Sequence, residues 1–215
     1  MEADGLIVLG LSEPTLTMIF DNLESCGRFP HVRIVNNLAL VDLKPFEHPR
    51  FAVTVVTSDA GFVAGATAFL GVNKPASKRA VHTAFEPRGF QFVNILNRSA
   101  AISSTARLGT GVHVNSLVSI AGHATIGNFV SINRNASVGH HSEVGDFVTI
   151  NPGANVAGFV RIGANTQIGM GANIVDGVQI GADTIIGAGS LVTKDVPAGV
   201  IAYGNPCRVV RAREA

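Results

Sequence analysis

An unbroken six-residue period runs through the second half of this 215-residue chain. Ile102, Leu108, Val114, Ile120, Ile126, Ile132, Val138, Val144, Ile150, Val156, Ile162, Ile168, Ile174, Ile180, Ile186 and Val192 recur at every sixth position. Neither the 3.6-residue period of a helix nor the two-residue period of a strand generates such a ladder. Two places before each rung stands a small or β-branched residue, from Ala124, Val130, Ala136 and Ser142 on to Thr184 and Ser190. Self-similarity at a fixed short period is the mark of a solenoid in which each hexapeptide forms one side of a coil. Three sides close a coil of eighteen residues, so 102–192 holds five coils with a cap at each end. The rungs stack into a narrow apolar interior, because no repeat buries its own face without a neighbour.

Glycine follows many rungs (Gly109, Gly127, Gly139, Gly145, Gly163, Gly169, Gly181, Gly187), where a Cβ would crowd a tight corner. Asn115, Asn133 and Asn151 take that place elsewhere and are expected to adopt the left-handed conformation that Asn tolerates. Glycine and β-branched residues at this frequency exclude a helical bundle, since each lowers helix propensity, glycine by about 1 kcal/mol.

Residues 1–97 read differently. Apolar runs at 6–9, 32–35, 51–56, 66–72 and 90–95 predict strands, and 14–26 and 75–85 predict helices. Ser12 is positioned to cap the first helix, with Pro14 in its first turn. Alternation of this kind predicts a small α/β (Rossmann-like) domain with a mostly parallel sheet. Such sheets bind ligands beyond the carboxyl ends of their strands, here at Gly10, Leu11, Ser12, Asn36, Asn37 and the 71–74 segment that includes Asn73 and Lys74. Ordinary turn chemistry is the alternative reading of the same residues. The expected organisation is an α/β domain over 1–97, a β-helix over 98–198 and a C-terminal cap over 199–215.

A formal charge of +1 with scattered Lys and Arg gives no polyanion-tracking face, which argues against a nucleic-acid partner. Cys26 and Cys207 are too few and too distant for a disulfide framework, so a reducing, cytoplasmic setting is expected. The opening MEADGLIVLGL reads as neither a signal peptide nor a membrane span.

The residues with chemistry lie in SVGHHSEVGD. His140 and His141 stand two and three places after the Val138 rung, and His123 stands three after Ile120. The eighteen-residue separation of His123 and His141 predicts that they stack on one side of the solenoid. An imidazole titrating near neutrality suits general-base work on an amine or hydroxyl. The alternative is a hydrophilic corner of surface histidines. Zinc would need three or four converging ligands; His123, His140 and His141 could supply two or three on one side, with His113 as a further candidate, but no metal site is expected.

Three stretches carry a resemblance over almost the whole chain: the entry FVNILNRSAAIS, the centre SVGHHSEVGDFVTINPGANVAG and the close AGSLVTKDVPAGVIAYGNPCRVV. With them the chain resembles the bacterial sugar O- and N-acetyltransferases related to sialic-acid O-acetyltransferase, especially the sugar-nucleotide amino-sugar N-acetyltransferases. That resemblance implies a left-handed parallel β-helix, a homotrimer and acetyl-CoA lying between adjacent solenoids. It implies His140 as catalytic base and Gly158 as the source of a backbone N–H for the oxyanion. The next residue in the family is commonly Glu or Asp; here it is His141, so Glu143 or a neighbouring subunit is expected to orient His140. Thr149 matches a cofactor-contacting position, and Gly204, Asn205 and Pro206 match the closing turn beside the cofactor. At the nucleotide end LGLSEPT replaces a turn with a Gly-His pair, Asn36 and Asn37 replace paired acids, and GVNKP keeps Asn73 and Lys74 for a phosphate. The implied function is acetyl transfer to the amino group of a nucleotide-linked amino sugar for surface glycans. O-acetylation of a sialic-acid-like sugar and non-catalytic sugar-nucleotide binding are the alternatives.

Overall fold

The computed structural model describes residues 5–36, 48–56 and 64–214. β1 (Gly5–Leu9) is apolar throughout because both its faces are covered. Leu6 and Val8 pack with Leu16, Ile19, Phe20 and Leu23 of α1 (Glu13–Cys26), while Ile7 and Leu9 pack with Val81 and Phe85 of α2 (Pro75–Phe85). β2 (His31–Val35), β3 (Ala52–Val56), β4 (Thr67–Leu70) and β5 (Gln91–Phe92) complete a parallel sheet in the order β3-β2-β1-β4-β5. The order reverses at β1, which opens a crevice at the carboxyl ends of β1 and β4. Pro14 and Pro75 open their helices as expected. Ser12 occupies the cap position, yet its hydroxyl accepts from Thr15 Oγ1 at 3.1 Å, and no side-chain cap forms.

The rungs build a parallel β-helix with three faces. Ile102, Ile120, Val138, Val156, Ile174 and Val192 lie on the first face, and Leu108, Ile126, Val144, Ile162 and Ile180 on the second. The third carries Leu96, Val114, Ile132, Ile150, Ile168 and Ile186 and is extended by a hairpin of Val200–Gly204 and Cys207–Ala212. The expected strand at 90–95 is thus divided: Gln91–Phe92 joins the α/β sheet, while Ile95–Leu96 already pairs with His113–Val114 of the solenoid. Rungs from Val114 to Val192 are at most 3 % exposed, and the small residues two places before them are buried as well. Where those are hydroxyls they bond between coils: Ser142 Oγ donates to Ala157 O at 2.9 Å and accepts from Val160 N–H at 3.1 Å. Truncating a buried rung Ile to Ala in such a stack costs about 2–5 kcal/mol.

The corners correct the sequence reading. Positive φ falls three places after the rung, at Leu117, His123, Phe129, Asn135, His141, Phe147, Phe159, Asn165 and Asp183, not one place after it. L-residues there cost about 1–2 kcal/mol each. Inter-coil bonds offset that cost, as His141 N–H donates to Gly122 O at 3.1 Å and Phe159 N–H to His140 O at 2.9 Å. The glycines after rungs serve close approach instead: a Cβ on Gly163 would lie 2.3 Å from Ala182 N, and one on Gly139 2.4 Å from Ala157 C. Asn115, Asn133 and Asn151 form a ladder whose amides donate to Ile132, Ile150 and Ile168 carbonyls at 3.3, 3.1 and 2.8 Å.

Helices α1 and α2 dock on the solenoid through buried polar groups. Asn22 Nδ2 lies 2.6 Å from His113 Nε2 and donates to Asn115 Oδ1 at 3.1 Å, while Asn22 Oδ1 accepts from Asn97 at 2.7 Å. Lys78 enters the corner between the second and third faces, and its Nζ bonds Phe129 O, Ser131 Oγ and Val148 O at 2.8, 3.2 and 3.0 Å. His82 packs against Phe92, Phe129 and Phe147 beside it. Burial lowers the Lys78 pKa well below its ordinary value, and burial, with Lys78 adding, pushes His113 down to about 3.

The sign for His113 follows from its depressed pKa. The unfolded imidazole takes up a proton below its ordinary 6.5, whereas the folded one stays neutral until about 3. Stability is therefore lost as pH falls through that window, by about 1.4 kcal/mol per unit. Urea titrations at neutral pH and about two units below 6.5 should differ by roughly 3 kcal/mol from this group. His113→Gln should remove most of that difference; an unchanged pH dependence would refute it.

Candidate active site

The histidine corner joins the first face to the second. His141 has φ 59°, which throws its ring outward over a column of residues at the same corner offset. Its ring centroid is 4.9 Å from that of His123 and 5.0 Å from that of Phe159, nearly parallel to the latter at 14°. The expected stacking of His123 and His141 is thus present, and Phe159, one coil further, belongs to the same column. Its position eighteen after His141 made it findable in the sequence.

His140 turns the other way. Its ring stands edge-on to Phe159 at 5.0 Å and 87°, and its Nδ1 is 3.2 Å from His141 Nδ1. Gly158 lies directly beneath: a Cβ there would be 2.7 Å from His140 Cε1 and 2.9 Å from Nε2. Glycine is required at 158 to make room for the imidazole. The Gly158 N–H donates to Asp176 Oδ1 at 2.8 Å, so the amide expected to serve an oxyanion has a carboxylate partner here. Glu143, expected to orient His140, instead extends from the second face towards Arg161 Nε, 3.6 Å away. The side-chain partner of His140 is His141.

A groove of about 520 Å³ lined by His123, Thr125, His141, Glu143, Phe159 and Arg161, among others, connects this corner to the second face. A larger depression of about 860 Å³ continues down that face and shares Thr125, Glu143, Arg161 and Gln179. An open, elongated trough beside a histidine suits an extended ligand. Among the described residues no three His, Cys, Asp or Glu side chains converge as a metal site would require. No described helix is long and apolar enough to cross a membrane.

The other candidate residues gather elsewhere. Gly10, Leu11 and Ser12 follow β1, Asn36 follows β2, and Asn73 and Lys74 follow β4, all at the carboxyl edge of the sheet. Their backbones are tightly joined: Gly10 N–H donates to Val35 O at 3.0 Å, Gly71 N–H to Leu9 O at 2.7 Å, and Asn36 N–H to Val56 O at 2.8 Å. A Cβ on Gly71 would lie 2.2 Å from Gly10 O, so glycine is needed for this approach. Asn37 lies outside the described residues. Thr149, expected to meet a cofactor, is buried on the third face with its hydroxyl donating to Asn73 O at 2.6 Å. It anchors the crevice loop to the solenoid. Gly204, Asn205 and Pro206 form the exposed tip of the C-terminal hairpin. Within one chain the crevice and the histidine corner occupy different edges of the prism.

Gly158→Ala should displace the His140 imidazole by several tenths of an ångström and break its contact with His141. Gly158 does not have positive φ, and the ring it would meet is exposed, so the melting temperature should stay near that of the parent. A variant crystal structure with the ring unmoved would refute this.

Residues 159–194 match the family described as bacterial transferase hexapeptide (six repeats). No curated protein sequence matches the chain. Among solved structures, a histidine-to-asparagine variant of perosamine N-acetyltransferase from Caulobacter crescentus, in complex with CoA and GDP-perosamine, is 28% identical. The similarity covers 97% of this chain and 98% of that one, with a TM-score of 0.84. The acetyltransferase domain of PglB from Neisseria gonorrhoeae, in complex with acetyl coenzyme A, has a TM-score of 0.82 at 21% identity over 96% of this chain and 100% of that one. WeeI from Acinetobacter baumannii gives 0.78 at 22% over 96% and 99%. These last two share the fold, a small α/β layer followed by a left-handed β-helix. With the hexapeptide ladder, the common architecture over nearly the full length and a histidine corner beside an open trough, the chain has the left-handed β-helix architecture of the hexapeptide acetyltransferases it is similar to.

Proposed function

We propose that this protein transfers the acetyl group of acetyl-CoA to the amino group of a nucleotide-linked dideoxy amino sugar, as the perosamine N-acetyltransferase of similar architecture is named for doing. The observation that carries the reading is His140, seated on Gly158 beside the His123, His141 and Phe159 column that lines the groove, with Nε2 as the ring nitrogen that His141 does not occupy. The amine lone pair attacks the thioester carbonyl carbon, and a C–N bond forms. His140 takes the proton that the nitrogen sheds. Collapse of the tetrahedral centre breaks the C–S bond, and the proton passes to the departing sulfur, giving CoA thiol and the acetamido sugar. Holding both reactants in line lowers the barrier by turning a bimolecular encounter into a local one.

The crevice at the sheet edge suits the nucleotide. Gly10 and Gly71 let backbone approach backbone, and Lys74 at the start of α2 offers a cation beside a helix N-terminus for a phosphate. Glu13 in the first turn of α1 disfavours a phosphate at that second helix end.

The catalytic unit of this reading is a homotrimer, in which the crevice of one protomer faces the histidine corner of the next. The separation of the two sites within a chain supports it, as do Leu117, Met170, Phe159 and Val175, exposed apolar residues at the two edges of the first face. The middle of that face's outward row is small and polar, Ser119, Ser137, Asn155 and Asn173, which allows close approach about a threefold axis. Asn133 and Thr149 are buried within the chain and do not contribute. A histidine in place of a carboxylate beside the base favours an amine over the less nucleophilic hydroxyl of an O-acetylation.

His140→Ala should lower acetyl-CoA turnover with a panel of nucleotide amino sugars by roughly 10²- to 10⁴-fold, measured as CoA thiol release and product mass. Full activity in that variant would overturn the assignment.

A further inference from the structure

Histidine is an unusual neighbour for a general base, because it carries no permanent charge and is itself a titrating group. The corner holds it firmly. His141 is fixed by positive φ, by its N–H bond to Gly122 O, and by the flanking rings of His123 and Phe159. His140 is fixed by the edge-on contact with Phe159 and by the gap at Gly158. The carboxylates nearby are engaged elsewhere: Glu143 faces Arg161, and Asp176 accepts the Gly158 N–H. At 3.2 Å the two Nδ1 atoms form a hydrogen bond only if one carries hydrogen and the other does not.

We propose that His141 is the positioning residue for the base: neutral, it accepts at Nδ1 the Nδ1–H of His140, and so fixes the tautomer that leaves His140 Nε2 free to take the substrate proton. This rests on the reading of His140 as the base. When Nε2 is protonated, the positive ring is stabilised by the lone pair of His141 rather than by a carboxylate. Protonating His141 would convert its acceptor into a donor and set a second cation beside the first, so the dyad works only while both rings are neutral. The other charged or titratable groups facing the pair are His123, the Glu143 and Arg161 pair and Asp176.

The pH profile of kcat in the intact protein separates this role from simple packing. The wild type should show an acid limb steeper than one proton. His141→Phe keeps the stacked ring yet lacks the acceptor; kcat should fall roughly 10- to 100-fold with KM little changed, and the limb should become a one-proton limb. His141→Glu should recover most of kcat with a one-proton limb moved to higher pH, because a carboxylate stabilises the imidazolium. A wild-type kcat and profile in His141→Phe would overturn the proposal while leaving His140 as base, whereas an active His140→Ala would remove the base itself. A readout that needs no acceptor is the tautomer pattern in nitrogen-labelled histidine NMR at mildly alkaline pH. Hydrogen on Nδ1 of His140 and on Nε2 of His141 supports the dyad; hydrogen on Nε2 of His140 overturns it.

Discussion

The whole molecule hangs on parallel pairing between residues eighteen apart. Each rung pairs with the next coil through short two-residue strands, as in Ile120 with Val138 and Val138 with Val156. Two-residue strands are far below the length that holds a sheet by itself. They persist because the rungs of successive coils share one buried core and the corner glycines let backbone approach backbone. The same register sets His123, His141 and Phe159 one above another, so the histidine corner inherits its geometry from the packing of the interior.

Much of this could be read from the residues. The ladder from Ile102 to Val192 needs only its period to define the coil, and the buried small residues two places before each rung follow from the same count. His123 and His141 could be stacked in advance because their offsets from Ile120 and Val138 are equal. The α/β layer was visible in its apolar runs, and the order of those runs is enough to bring the ends of β1, β2 and β4 to one edge of the sheet.

What escaped the sequence depended on contacts across distant segments. Glu143 is three places from His140, but it stands on the second face beyond the corner, where Arg161 from the next coil claims its carboxylate. Thr149 aligns with a cofactor position, but Asn73, seventy-six residues away, buries it. Lys78 and His113 gave no sign of burial, because a lone Lys on a helix and a lone His on a strand are usually solvated. Only the docking of α1 and α2 on the solenoid buries them among hydrogen-bond partners and lowers both pKa values. The corner conformation was misplaced by two residues because glycine suggested torsional freedom where its service is lack of volume.

The left-handed corner residue has one further consequence. Its backbone strain is met by a bond from its own N–H to the preceding coil, a bond indifferent to the side chain, and Leu, His, Phe, Asn, Asp and Gly all occupy that place. The corner therefore behaves as a rack of interchangeable sockets with fixed spacing. A functional group can be installed, exchanged or moved by one coil, a step of about 4.8 Å, without rewriting the core. Evolution of new acceptors on such a frame becomes a matter of choosing addresses on a grid.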